Sequence, residues 1–235
     1  MPSTRRASLL AAGKNRSRRI ILFHGDAVVE VPPSHALSLQ QAGQDQPSPT
    51  CPGLIFEYCL FGDVEGFISK WHPVLNHSNI CNWTSHVADG LQFLASLHIV
   101  HADLKNKNIL VRADKTLVVD VLWRSFVAAS TQNTHSIQAT LSYAFHEILR
   151  QTGITPTADL FSLGLIVYDW ATGKLPHTRA WEHWKLSTAE LVEELKWRVG
   201  TNDWKPALPA AFTADFSMLG QGMLKPLLSQ RLTAS

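Results

Sequence analysis

His101–Asp120, HADLKNKNILVRADKTLVVD, is the stretch whose reading decides the fold of this 235-residue chain. It reads as a polar loop holding Asp103 and Asn108, an apolar strand over Ile109–Val111, a turn at Ala113–Lys115, and a second apolar strand over Leu117–Val119 that delivers Asp120. A hairpin built this way presents three oxygen-bearing side chains at one end. Phosphoryl transfer from a nucleotide needs such a set: one carboxylate to orient the attacking hydroxyl, and an amide and a second carboxylate to hold magnesium against the phosphates. Lys105, two residues past Asp103, would neutralise charge on the transferred group. The same residues also suit a polar loop ahead of an ordinary hairpin, with His101 packed and hydrogen-bonded in a core.

The stretch resembles the catalytic loop of protein kinases, His-Arg-Asp-Leu-Lys-x-x-Asn, followed by the magnesium-binding Asp of Asp-Phe-Gly. Ala102 stands where that family usually has Arg, and Asp120 is followed by Val121 and Leu122 instead of Phe and Gly. The resemblance implies roles: Asp103 for the substrate hydroxyl, Lys105 for the γ-phosphate, Asn108 and Asp120 for Mg²⁺, and His101 as a structural support. It implies ATP and Mg²⁺ as cofactors. Without the Arg at 102, control by phosphorylation of the polar segment Ser130–Ser136 is not expected.

Upstream, Leu54–Cys59 (LIFEYC) reads as a buried strand ending in Leu60-Phe61-Gly62-Asp63. Placed before the catalytic-loop match it resembles the kinase hinge. Phe56 then holds the gatekeeper position, Glu57, Tyr58 and Cys59 offer backbone groups to adenine, and Asp63 lies near the ribose. Asn82–His98 carries Trp83, Val87, Leu91 and Leu94 at helical spacing, the pattern of any half-buried helix and also of the one leading into the kinase loop.

Downstream, Ala139–Glu147 (ATLSYAFHE) is similar to the end of a kinase activation segment, keeping Thr140, Tyr143 and Glu147. In the family that Thr touches the catalytic Asp and Lys, and that Glu pairs with a distant Arg. Thr155-Pro156-Thr157-Ala158-Asp159 opens a helix, with Pro in the first turn and a carboxylate near the positive end of the dipole. Leu160–Ala171 is apolar nearly all round and stops at Gly173, which reads as a buried helix. It resembles the central kinase helix through Asp159, Phe161, Ser162 and Gly164. Asp159 would then brace Asp103 through backbone amides; otherwise it is an exposed acid that serves only its own helix.

Ser187-x-x-Glu190 is a capping box opening a further helix that ends at Gly200. Trp181, Trp184, Trp197 and Trp204 crowd around it as core or as a partner-binding face. Phe216–Leu228 reads as another helix. Ser229–Ala234 resembles the kinase Arg-x-Thr-Ala ending, which makes Arg231 the buried partner of Glu147; read alone, Arg231 is a surface cation.

Composition sets the outer bounds. Apolar residues at 45% and charged residues at 17% describe a globular chain, and a net charge of +2 gives no basic surface for nucleic acid. Three cysteines without a C-x-x-C pair indicate neither a disulfide framework nor a zinc site, as in a reducing compartment. The apolar run Leu160–Trp170 is too short for a bilayer and contains Asp169, so no membrane association is expected. With no signal read in the sequence a cytoplasmic location is the expectation, although the acid-free basic stretch at the N-terminus also fits an organellar leader. Gly13-Lys14 lacks the first Gly and the Ser or Thr of a phosphate-binding Walker loop.

The expected fold is therefore α+β and protein-kinase-like. Residues 1–18 form a disordered basic tail, 19–61 a partial small β-lobe ending in the hinge, and 62–235 a mostly helical large lobe. No G-x-G-x-x-G loop, Val-Ala-Ile-Lys strand or helix with its Glu partner precedes the hinge, so the resemblance implies an N-terminally truncated serine/threonine kinase domain. Its serine/threonine character follows from Lys105 and Thr140. Because phosphate stabilisation carries most of the catalysis, the chain alone is expected to be weak or inactive. The alternative is a pseudokinase or kinase fragment that works as a protein-interaction module. In either case the partner is a protein, as substrate or as regulatory target.

Overall fold

The computed structural model describes residues 17–30, 50–121, 125–127, 155–175, 190, 208–225 and 231–233. The elements run β1 (Phe23–Glu30), β2 (Thr50–Phe56), α1 (Val64–Trp71), α2 (His77–Ser96), β3 (Ile99–Val100), a 3-10 turn (Asn106–Asn108), β4 (Ile109–Val111), β5 (Leu117–Val119), β6 (Phe126–Val127), α3 (Thr157–Thr172) and α4 (Ala214–Met223). Helices packed on small antiparallel sheets give the α+β class expected above.

The hairpin forms where the apolar triplets fall. β4 and β5 pair antiparallel in the register Ile109↔Val119, Leu110↔Val118 and Val111↔Leu117. The Asp114 carboxylate closes the turn by accepting from both the amide and the hydroxyl of Thr116. Each edge of the hairpin is covered. Asp63 bridges antiparallel to Leu110, and Ile20 bridges parallel to Val119. All three β5 residues are buried, as expected of a strand covered on both faces.

α2 supplies one of those covers. It begins at His77, earlier than the apolar spacing suggests, because the Asn76 side chain caps it by accepting from the Asn79 amide at 2.9 Å. Ile80, Trp83, Val87, Leu91 and Leu94 then line its buried face. Gly90 lies on that face, where a Cβ would meet the Arg19 carbonyl at 3.0 Å and Val119 at 3.1 Å. A side chain there would require the Arg19 backbone and Val119 to give way by a few tenths of an ångström, so glycine suits the close approach of this segment to α2.

α3 is buried along most of its length and ends at Gly173, whose φ of +70° is the left-handed cap that the sequence calls for. It packs between α2 and α4. Trp170 meets Trp83 edge-on, with ring centroids 5.4 Å apart. α4 starts at Ala214, capped by Thr213, and ends at Met223, two residues earlier at the front and five at the back than the reading Phe216–Leu228. The Thr213 cap sets the start. Pro226, lacking an N–H and disfavouring a helical residue before it, accounts for the early stop.

Two readings need correction. α1 was not anticipated: Asp63 caps it by accepting from the Gly66 amide at 2.8 Å, and Phe67 packs into the core. The stretch Leu54–Cys59 is not a buried strand. β2 runs from Thr50 to Phe56, and among the described residues it pairs only with β1, in a two-stranded ribbon. Leu54 and Ile55 are 49% and 48% exposed, and among the described residues no further strand pairs with the ribbon. The helix read over Ser187–Gly200, with Trp181, Trp184, Trp197 and Trp204, lies outside the described residues apart from position 190. Among the described residues no helix is long and apolar enough to cross a membrane.

Candidate active site

The loop from His101 to Asn108 is held by α3 at two points. Near the start of α3, Asp159 is 2% exposed, and its two carboxylate oxygens accept from the amides of His101 at 2.8 Å and Ala102 at 2.9 Å. A carboxylate this deep is tolerable only with such donors. The amides can converge on it because Ala102 takes a left-handed backbone, φ 61°. Near the end of α3, Asp169 accepts from the Asn106 side-chain amide at 2.9 Å, and the Trp170 indole donates to the Asn106 oxygen at 2.9 Å. Burial first, and then the charge of Glu65, hold the Asp169 carboxyl above its ordinary value against the Asn106 hydrogen bond. Between the two anchors, Leu104 is buried in the core.

This double attachment presents Asp103, Lys105 and Asn108 together. The Asn108 amide nitrogen donates to the Asp103 carbonyl at 2.7 Å and to its carboxylate at 3.2 Å. Lys105 Nζ lies 3.0 Å from the same Asp103 oxygen. The Asp120 amide donates to the Asn108 carbonyl at 2.9 Å, so the end of β5 is pinned to the start of β4. His101 joins the two sides: its Nδ1 accepts from the Asp103 amide at 3.2 Å and its Nε2 donates to the Asp120 carbonyl at 2.6 Å. Those contacts require a neutral ring with its proton on Nε2. Burial pushes the His101 pKa down, outweighing the Asp120 carbonyl and the Asp103 charge, which favour the imidazolium.

Asn108 and Asp120 suit magnesium chemically. With the Asn108 nitrogen committed to Asp103, its amide oxygen is the atom able to ligate, and an amide oxygen with a carboxylate is a hard donor pair. Among the described residues no three His, Cys, Asp or Glu side chains gather as a metal-holding group. A pair of this kind would leave the remaining positions around Mg²⁺ to other oxygen donors, such as water.

The hinge candidates are distributed differently. The Glu57 amide donates to the Leu22 carbonyl at 2.9 Å and is thereby committed within the chain. Tyr58 is 83% exposed. The Cys59 carbonyl accepts from Gly62, and burial, helped by the charges of Glu57 and Asp120, raises the thiol to about 11. This thiol is a packing group rather than a nucleophile. Asp63 is occupied in capping α1. Arg231 is buried: Nε donates to the Lys225 carbonyl at 3.0 Å, Nη1 donates to the Thr157 carbonyl at 3.1 Å, and the guanidinium lies over the Phe161 ring. Thr140, Tyr143 and Glu147 lie outside the described residues.

Reading by motif missed Asn106, Arg112 and the role of Asp169. Asp169 had a signal, since a lone carboxylate inside an apolar helix needs a buried donor. Arg112 had none.

Comparison with known proteins follows the same lines. Residues 39–235 match the family model described as protein kinase domain. Mitogen-activated protein kinase kinase kinase 12 of Rattus norvegicus is 22% identical over 169 residues, covering 72% of this chain and 18% of that protein. Mitogen-activated protein kinase kinase kinase 13-A of Xenopus laevis is 23% identical over the same length, covering 72% and 16%. An Aurora kinase of Dictyostelium discoideum is 29% identical over 126 residues, covering 53% and 32%. The chain thus spans less than a third of the length of each of these relatives.

Proposed function

The chain belongs to the protein kinase domain family, and from that premise we propose that it carries the phosphotransfer site of a serine/threonine protein kinase, using ATP and Mg²⁺ on protein hydroxyls. The observation that carries the reading is the Asp103–Asn108–Asp120 cluster: one amide nitrogen on the carbonyl and on one carboxylate oxygen of Asp103, and one backbone hydrogen bond tying Asp120 to Asn108. In that arrangement Asp103 accepts the hydrogen bond of a substrate hydroxyl and aims its oxygen at the γ-phosphorus. Lys105, beside Asp103, reaches the transferred group and offsets its charge. The Asn108 oxygen and the Asp120 carboxylate would hold Mg²⁺, which when bound screens the phosphate charge. His101 keeps the loop and Asp120 in one register, and Asp159 fixes the backbone on which Asp103 stands.

Residues 19–61, ending in the hinge, and 62–235 are read as the small-lobe and large-lobe parts of this unit. The hinge carbonyl of Glu57 and amide of Cys59 are assigned to adenine, Thr140 to the Asp103–Lys105 pair, and Glu147 to Arg231. A second reading, a non-catalytic kinase-like module that binds a protein partner, is favoured by the exposed apolar ribbon, where Val28 is 77% exposed.

The test combines thermal shift with Mg·ATP and γ-phosphate transfer to a generic Ser/Thr protein substrate, with Asp103→Ala as control. A shift in both proteins, with turnover lost only in the variant, supports the catalytic reading. Neither shift nor turnover in the unaltered chain contradicts it.

A further inference from the structure

One polar cluster outside the loop joins three distant pieces of chain. Arg112 follows β4 and directs its guanidinium at Glu57, the first residue after β2. Nε donates to Oε2 at 2.8 Å and Nη2 to Oε1 at 2.7 Å, a two-pronged contact of fixed geometry. Its remaining arm, Nη1, donates to the Arg18 carbonyl at 2.6 Å. Glu57 in turn closes a ring with Leu22, accepting the Leu22 amide at 2.8 Å while its own amide donates to the Leu22 carbonyl. The two side chains are only 24% and 18% exposed, so the pair is shielded from the screening that weakens a surface ion pair. Burial works to raise the Glu57 carboxyl, yet the Arg112 and Leu22 hydrogen bonds and the Arg112 and His24 charges together hold it below the ordinary carboxylate range. Both groups are therefore charged at neutral pH.

The position of this clasp gives it its consequence. β4 links Arg112 directly to Asn108, and β5 leads to Asp120, so the hairpin that bears both proposed magnesium ligands ends in the residue that grips the hinge. A second fastening lies further along, where Phe61 donates to the Val111 carbonyl and Val111 to the Gly62 carbonyl. Tyr58–Leu60 thus spans a short gap between two attachments to one hairpin.

The geometry points to Arg112 as a positioning residue for nucleotide: through Glu57 it sets the distance between the hinge backbone that receives the base and the Asn108–Asp120 pair that receives the phosphates. This rests on the proposed function, in which the hinge binds adenine. Arg112 touches no nucleotide itself, so its loss weakens binding chiefly where base and magnesium-held phosphates must be engaged at once, and the magnesium contribution to affinity shrinks.

The test uses the full chain and its Arg112→Met, Glu57→Gln and doubly substituted forms. Amide hydrogen exchange is read over Tyr58–Phe61 and over α3, and ATP affinity is measured with and without Mg²⁺. Either single substitution speeds hinge exchange by about tenfold or more and leaves α3 unchanged. The double substitution adds nothing further, because both residues belong to one clasp. ATP affinity falls by a larger factor with Mg²⁺ than without it, and an equal loss in the two conditions contradicts the spacing role. If Arg112→Met does not fold, Arg112→Lys, which keeps the charge and loses the fork, gives the same pattern at smaller amplitude. Unchanged hinge exchange, an equal acceleration in α3, or additive effects in the double form overturn the clasp while leaving the proposed function standing. A wild-type chain that binds no ATP overturns the proposed function and the nucleotide role of the clasp, whatever the exchange shows.

Discussion

The His101–Asn108 loop and the β1–β2 ribbon both lack the long apolar face that usually holds an element in place, yet they are secured to very different degrees. The loop is attached to α3 at Asp159 and at Asp169–Trp170, to β5 through His101, and internally through Asn108. The ribbon has its own ladder of hydrogen bonds and exposed apolar side chains on both faces, with its attachment concentrated at the Glu57 end. Irregular backbone can be the more rigid part when every polar group has a fixed partner. A regular ladder of two strands gains little stability from pairing alone.

Substitutions can break or sharpen this contrast. Asp159→Ala leaves two buried loop amides without an acceptor and is expected to cost about 4 kcal/mol, read by denaturant unfolding. A cost near that of a surface change would mean that the loop is held by something else. Leu117→Ala, at a fully buried hairpin position, should cost about 3 kcal/mol, whereas Leu54→Ala in the ribbon should stay within about 0.5 kcal/mol; similar losses at the two sites would erase the difference between the regions. Gly90→Ala drives a methyl group against the Arg19 carbonyl and should cost about 2 kcal/mol, with faster hydrogen exchange at Ile21 and Val119, whose amides take part in that pairing.

The smallest effect is one of pH. His86 on α2 is buried and accepts the Leu117 amide through Nδ1 at 3.3 Å, so it must be neutral there. Burial, and then the charge of Arg19, lower its pKa against Asp89 and Asp114. The folded state then binds fewer protons than the unfolded one, where a histidine titrates near pH 6.5. The stabilisation is complete above that pH and is lost as pH falls through the lower folded value. Melting temperature should drop between pH 7 and 5, and His86→Gln should flatten the slope. An unchanged slope would contradict a neutral His86.

The parts of this architecture that were legible in the sequence rest on local pattern. Ile109–Val111 and Leu117–Val119 are apolar triplets on either side of an Ala-Asp-Lys turn, and α3 is an apolar run bounded by Pro156 and Gly173. The apolar composition of Leu54–Cys59 suggests a covered strand, whereas among the described residues β2 has a single neighbour. Asn106–Asp169 and Glu57–Arg112 were not legible, since single polar residues paired across more than fifty positions leave no periodicity. α1 had a visible sign in Asp63 ahead of Val64-Glu65-Gly66, but eight residues give too little amphipathic pattern to stand out.

The central claim is that Asn108 and Asp120 form a magnesium-dependent nucleotide site on a loop already held in shape. Its most direct measurement is calorimetric titration of ATP, with and without Mg²⁺, into the full chain and into Asp120→Asn. The account predicts that Mg²⁺ tightens ATP binding by about tenfold or more in the full chain, and that Asp120→Asn removes this gain while leaving magnesium-free binding as it was. An affinity indifferent to Mg²⁺, or an equal magnesium gain in the variant, would contradict it.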